Sequence, residues 1–215
     1  MAISYPREML SGGWISELAF DLTSTEAFNR LSSGAVQATE VDEPVWSAKF
    51  TTRRLWPADR AALRAWISSL RGGKRFYAQD LERRYPIAYG AAVLSMTRAG
   101  GGTFNGIATL TSATATTVSM SALPASYAFK AGDQLSFPWN SGLALHRVLE
   151  DVTANSSGVV TVTVDPPVRT SPAPSTGADI ALVNPRCIMT LVPGTFETVA
   201  NNDAPSASFE AVQVI

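Results

Sequence analysis

PVWSAKFTTRRLWPADRAALRAWISSLRGGKRFYAQD, residues 44–80, sets two periodicities side by side. In its first part Trp46, Ala48 and Phe50 alternate with Ser47 and Lys49, the period of two of a half-buried strand. From Pro57 the period changes. Leu63, Trp66, Ile67 and Leu70 fall at i, i+3, i+4 and i+7, one apolar stripe on a helix. Pro57 suits a first helical turn, and Asp59 lies close to the positive end of the helix dipole. Arg71 falls in the last turn of a helix expected over 57–71, and Gly72-Gly73 can adopt the left-handed conformation that ends it. KRFYAQ is then extended again. The stretch therefore reads strand, helix, strand, with the helix packed on one sheet face. Trp46, Phe50, Leu63, Trp66, Ile67, Leu70 and Phe76 are its expected core.

Working outward, Trp14–Leu22 fits a strand, residues 23–33 a helical turn or loop, and residues 34–41 a second extended segment. Around Arg98 the chain becomes rich in Gly, Thr and Ser and nearly loses its charge. Short strands punctuated by turns follow: Thr114–Ala122, Gln134–Phe137, Leu143–Glu150, the valine face of Val160, Val162 and Val164, and Asp179–Val183. That spacing suggests a small barrel or sandwich. Cys187–Val192, residues 195–200 and residues 208–215 are extended. The fold class is mainly β.

The chain's 215 residues suffice for one large domain or two small ones, with a real core. Hydrophobic residues make up 46% and charged ones 16%, below the usual quarter, which suits a surface partly covered by other protein. A net charge of −1 argues against a general affinity for nucleic acid or anionic membranes. No run approaches 18 apolar residues, so no membrane insertion is expected, and the N-terminus lacks the apolar run of a signal peptide. The expectation is a chain made in a cytoplasm.

Catalytic chemistry finds little to work with. His146 is the single histidine and shares a strand face with Ala144 and Val148, which reads as a packed residue rather than a triad base. Cys187 is the single cysteine and sits in an apolar run, so neither an intrachain disulfide nor a four-ligand zinc site can form. GGGTFNG lacks the lysine and following helix of a phosphate loop and reads as a flexible junction. Glu150-Asp151 reads as a solvated turn. The chain is expected to be no enzyme and to carry no cofactor or metal.

Charge is unevenly placed. Residues 1–52 are net −4, residues 53–84 net +6 and residues 85–215 net −3. The basic segment holds Arg53, Arg54, Arg60, Arg64, Arg71, Lys74, Arg75, Arg83 and Arg84, mostly arginine, which pairs well with carboxylates across interfaces. A solvated helix face is the plain alternative. The sharper reading is an interface in which Arg53, Arg54, Arg60, Arg64, Arg71, Lys74 and Arg75 meet acidic residues such as Glu40, Asp42 and Glu43 of another copy, or an adjacent protein.

A tryptophan-centred strand (PVWSAKFTT), a short helix (PADRAALRAWISSLRGG), an aromatic strand (KRFYAQD) and YPIAYG follow one another in the order seen in distal tail proteins of long-tailed bacteriophages and phage-like particles. The second half, with FKAGDQLSF, LHRVLEDVTANSSGVVTVTVDPPVR and ADIALVNP, resembles a module of the same proteins. Together the two blocks cover roughly residues 44–192. The resemblance implies a homo-oligomeric ring of six copies at the virion tail tip. There a β-rich belt domain lies beneath the tail tube and holds the hub, and a second β-domain points outward toward tail fibres or the host surface. It implies a β-sandwich belt with one packed helix, formed by residues 1–93 and 186–215, and an inserted barrel at 94–185. A second reading, a carbohydrate- or receptor-binding β-module, would need exposed aromatics, for which Tyr127, Phe129 and Trp139 are the candidates.

Overall fold

The computed structural model describes residues 3–10, 12–24, 26–30, 33–34, 36–199 and 206–214. The fold is mainly β, with one packed helix and a closed small barrel. In chain order the elements are β1 (Ile15–Thr23), β2 (Glu26–Arg30), β3 (Val36–Glu40), β4 (Val45–Thr52), α1 (Pro57–Ser69) and β5 (Arg75–Ala78). Then come β6 (Ile107–Ala113), β7 (Thr117–Ser121), β8 (Ala128–Phe129), β9 (Gln134–Trp139), β10 (Gly142–Val148), β11 (Val152–Thr153), β12 (Val160–Asp165) and β13 (Asp179–Ala181). The chain ends with β14 (Cys187–Leu191), β15 (Glu197–Val199) and β16 (Ser206–Gln213).

These elements form two compact units. One comprises residues 10–74 and 189–213; the other comprises residues 75–188 with the terminal segments. The division falls earlier in the chain than 93/94, because residues 75–93 belong with the barrel. Tyr85, Tyr89 and Val93 pack on the barrel core, and buried Asp133 accepts the Ile87 N–H at 2.7 Å.

In the first unit β1, β4, β16 and β14 form an antiparallel sheet in that order, with β15 also on β16. The period of two in β4 buries Trp46, Ala48 and Phe50 and leaves Lys49 exposed. Phe209 lies opposite Phe50 in the register and stacks on it at 4.7 Å. Against this face α1 lays Leu63, Trp66 and Ile67, with Trp66 5.9 Å from Phe209 and Phe20 5.3 Å from Trp46. Full burial of such side chains contributes ~1.5–3 kcal/mol each. The helix stops at Ser69, two residues before Arg71. Leu70 donates its N–H to Ile67 O, and Gly72 and Gly73 follow at φ 76° and 71°, conformations glycine adopts without a Cβ penalty. Residues 23–33 contain a strand rather than a helical turn. Pairing with β3, Glu26 opposite Glu40 and Arg30 opposite Val36, overrides local preference.

In the second unit β10, β12, β7, β6, β13 and β9 close into a barrel. Its inward positions, among them Leu110, Val118, Met120, Leu135, Phe137, Val160, Val162, Val164 and Ile180, fill the interior. The Gly-rich stretch expected to be a flexible junction is instead pinned to this barrel. Arg98 N–H bonds Gly102 O at 2.9 Å, and its guanidinium donates to Ala122 O, Asn105 Oδ1 and Ile107 O at 2.6, 2.7 and 2.9 Å. The same guanidinium lies over the Phe104 ring at 5.2 Å. The small glycines allow the tight reversal, and Arg98 supplies the hydrogen bonds that hold it.

Candidate functional site

The basic segment is distributed by two structural facts, the end of β4 and the pitch of α1. Arg53 N–H bonds Trp14 O at 2.9 Å, carrying the β1–β4 ladder one residue beyond Thr52. Arg53 and Arg54 are exposed there. Leu55 turns into the core and Trp56 turns out, as alternation on an extended segment requires. Arg60 and Arg64 then lie about 40° apart around α1, on the border of the apolar stripe rather than opposite it. Arg64 is exposed, whereas Arg60 is half-buried and its Nε has no hydrogen-bond partner. The face pointing most directly away from the sheet carries Ala58, Ala61, Ala65 and Ser68, all exposed.

Arg71 and Lys74 are not gathered with the others. A rise of about 1.5 Å per residue sets Arg71 ~16 Å along the helix direction from Arg60. Lys74 O accepts the Thr190 hydroxyl at 3.4 Å, near the far end of the sheet. Arg75 is exposed and belongs to the barrel unit. The single band expected from composition is thus spread out: Arg53 and Arg54 precede α1, Arg60 and Arg64 lie along it, and Arg71 and Lys74 follow it. Among the described residues, the side chains of Arg53, Arg60, Arg64, Arg71 and Arg75 form no ion pair or hydrogen bond within the chain. Arg54 lies 5.6 Å from the Trp56 ring centroid.

The acidic partners expected from the sequence sit at the opposite end of β4. Asp42 and Glu43 are exposed, and Asp42 Oδ1 accepts the Glu43 N–H at 2.9 Å. The Glu40 backbone ends β3; its side chain lies outside the described residues. Beyond them, among the described residues, β2 and β3 pair only with each other, and every side chain described in that hairpin is exposed. Eight residue steps at ~3.3 Å place about 25 Å of strand between Val45 and Arg53.

The remaining reactive groups are structural. His146 is buried, stacked on Phe137 at 5.2 Å, with Nδ1 2.7 Å from Pro166 O. A carbonyl can only accept, so Nδ1 carries the proton. Burial lowers the imidazole pKa to about 4, partly opposed by that hydrogen bond. Cys187 is fully buried, and burial pushes its thiol well above the ordinary range. Asp133 accepts from the Ile87 and Lys130 N–H groups, and burial raises its pKa. Tyr127 and Phe129 are core residues, and Trp139, half-buried, ties its indole N–H to Pro172 O at 2.8 Å. No group of three or more His, Cys, Asp or Glu that could hold a metal occurs among the described residues, and no described helix is long and apolar enough to cross a membrane.

Two exposed apolar residues are not among the interface candidates named from the sequence, Trp56 and Val41, which are 70% and 63% exposed. The signal for Trp56 was the adjacent pair Leu55-Trp56 just before Pro57: on an extended segment one must face in and the other out. No protein-family model matches the chain, and no curated protein matches it.

Proposed function

We propose that this chain is a structural subunit of a phage tail tip. It resembles the distal tail proteins, which form a ring of six copies joining the tail tube to the central hub and anchoring peripheral tail proteins. The reading places it in the virion, assembled in the host cytoplasm and without catalytic activity. One observation carries it: opposite charges occupy opposite ends of β4, and among the described residues the arginines at one end have no carboxylate partner. Ends so far apart cannot pair in one molecule. They suit a head-to-tail contact, which closes into a ring when the rotation between copies is regular. The two-unit build supports the same reading, with a sheet-and-helix unit interrupted by a contiguous barrel.

The runner-up, a carbohydrate-binding module, keeps only Trp139 of its three aromatics on the surface. Negative-stain electron microscopy of the purified protein tests the proposal. Annular particles with rotational symmetry are expected, and a field of single small particles at micromolar concentration counts against it.

A further inference from the structure

We infer that Trp56 is the anchor of a contact between copies of this chain, and that it receives the exposed Val41-Asp42-Glu43 segment of the next copy. The inference rests on the ring reading and adds the apolar centre that charge pairing alone does not supply. Among the described residues Trp56 is the most exposed of the large hydrophobic side chains, at 70%, and is followed by Pro57, whose ring fixes the backbone at the start of α1. Arg54 lies 5.6 Å from its ring, Arg53 precedes it on the same exposed segment, and Arg60 follows in the first turn of α1. Tryptophan and arginine are the residues most enriched where binding energy concentrates, because a rigid aromatic buries much surface at little entropic cost.

The proposed occupant has the matching composition. Val41 is 63% exposed, and Asp42 and Glu43 beside it are exposed carboxylates. One protruding apolar side chain flanked by acids faces one protruding apolar side chain flanked by bases. Both lie in the same compact unit, at opposite ends of a strand about 25 Å long. The contact is therefore between molecules, and its two sides are different surfaces, as a head-to-tail ring requires.

The test measures self-association of the full chain by sedimentation for wild type, Trp56→Ser, Val41→Ser and the double variant, with circular dichroism melts as the folding control. Trp56→Ser should weaken association at least ~30-fold, the factor equivalent to a hot-spot loss of about 2 kcal/mol. Val41→Ser should weaken it several-fold. The double variant should be no weaker than Trp56→Ser alone, because the two side chains share one contact. Trp56→Phe should retain most of the association, and if the tryptophan-to-serine variant does not fold Val41→Ser carries the test, unchanged association in it overturning the inference. Wild-type assembly that Trp56→Ser leaves unchanged overturns this inference while the ring reading stands. So does a double variant whose loss is the product of the single losses. A wild-type chain that does not self-associate overturns both.

Discussion

The Trp66 ring lies 5.9 Å from that of Phe209. This contact joins the only α-helix among the described residues to a strand near the end of the chain, across 142 intervening positions. Phe209 also stacks on Phe50, so helix, central strand and C-terminal strand share one aromatic cluster. Truncating a buried tryptophan costs ~3–5 kcal/mol. Trp66→Ala should therefore yield little soluble protein, and what is recovered should melt at least several degrees lower by circular dichroism. A wild-type melting curve would remove this cluster from the core.

His146 gives the barrel an acid sensitivity. Burial holds its folded pKa at about 4, against 6.5 for an exposed histidine. The unfolded chain takes up a proton below 6.5 that the folded chain refuses. Stability is thus full above pH 6.5 and falls as the pH drops toward 4, by up to a few kcal/mol. His146→Gln does not titrate in this interval and should lose less stability between pH 6.5 and 4.5 than wild type. Parallel melting-temperature profiles for the two proteins would contradict the assignment.

Gly158 sits where no other residue fits. It has φ 69°, and a Cβ there would lie 2.1 Å from Leu123 O, a backbone atom that cannot swing aside. Leu123 N–H also bonds Gly158 O at 3.2 Å, so the two segments are held together. Gly158→Ala should destabilise the protein by more than the ~1 kcal/mol typical of a point mutation, measured by urea denaturation. Gly177→Ala is the comparison, since its φ is 84° but a Cβ there meets nothing within 4 Å. Equal losses in the two variants would mean that the Leu123 contact carries no cost.

Arg53 and Arg54 offer a clean charge test because both are exposed, whereas Arg60 has a buried Nε. Arg53→Glu with Arg54→Glu should leave the thermal melt of the monomer nearly unchanged, since surface substitutions usually fall within about ±0.5 kcal/mol. Association should weaken tenfold or more if each close pair contributes ~1.5 kcal/mol. Unchanged association at low salt would mean that these arginines are simply a solvated face.

The fold was readable where one periodicity dominated. In β4, in α1 and at the residue that caps it, the residues expected in the core, Trp46, Phe50, Leu63, Trp66, Ile67 and Leu70, are buried, and Phe76 is too. The valine run of β12 is likewise buried on the face that Val160, Val162 and Val164 define. β2 was not readable, because its pairing with β3 comes from beyond its own sequence window. Nor was the start of the barrel unit, since Tyr85, Tyr89 and Val93 carry no period and are placed by contact with the barrel core. The arginine cluster was visible as composition. Its splitting along α1 was not, because only the helix axis shows how far Arg71 stands from Arg60.

The most direct test of the account is the mass of the purified wild-type chain in solution, by size-exclusion chromatography with light scattering, at low and high salt. A head-to-tail ring gives a closed multiple of the 22.8 kDa chain at low salt, six copies for the ring proposed, and a shift toward smaller species as salt screens the charges. A mass of one chain at every concentration and salt would contradict it.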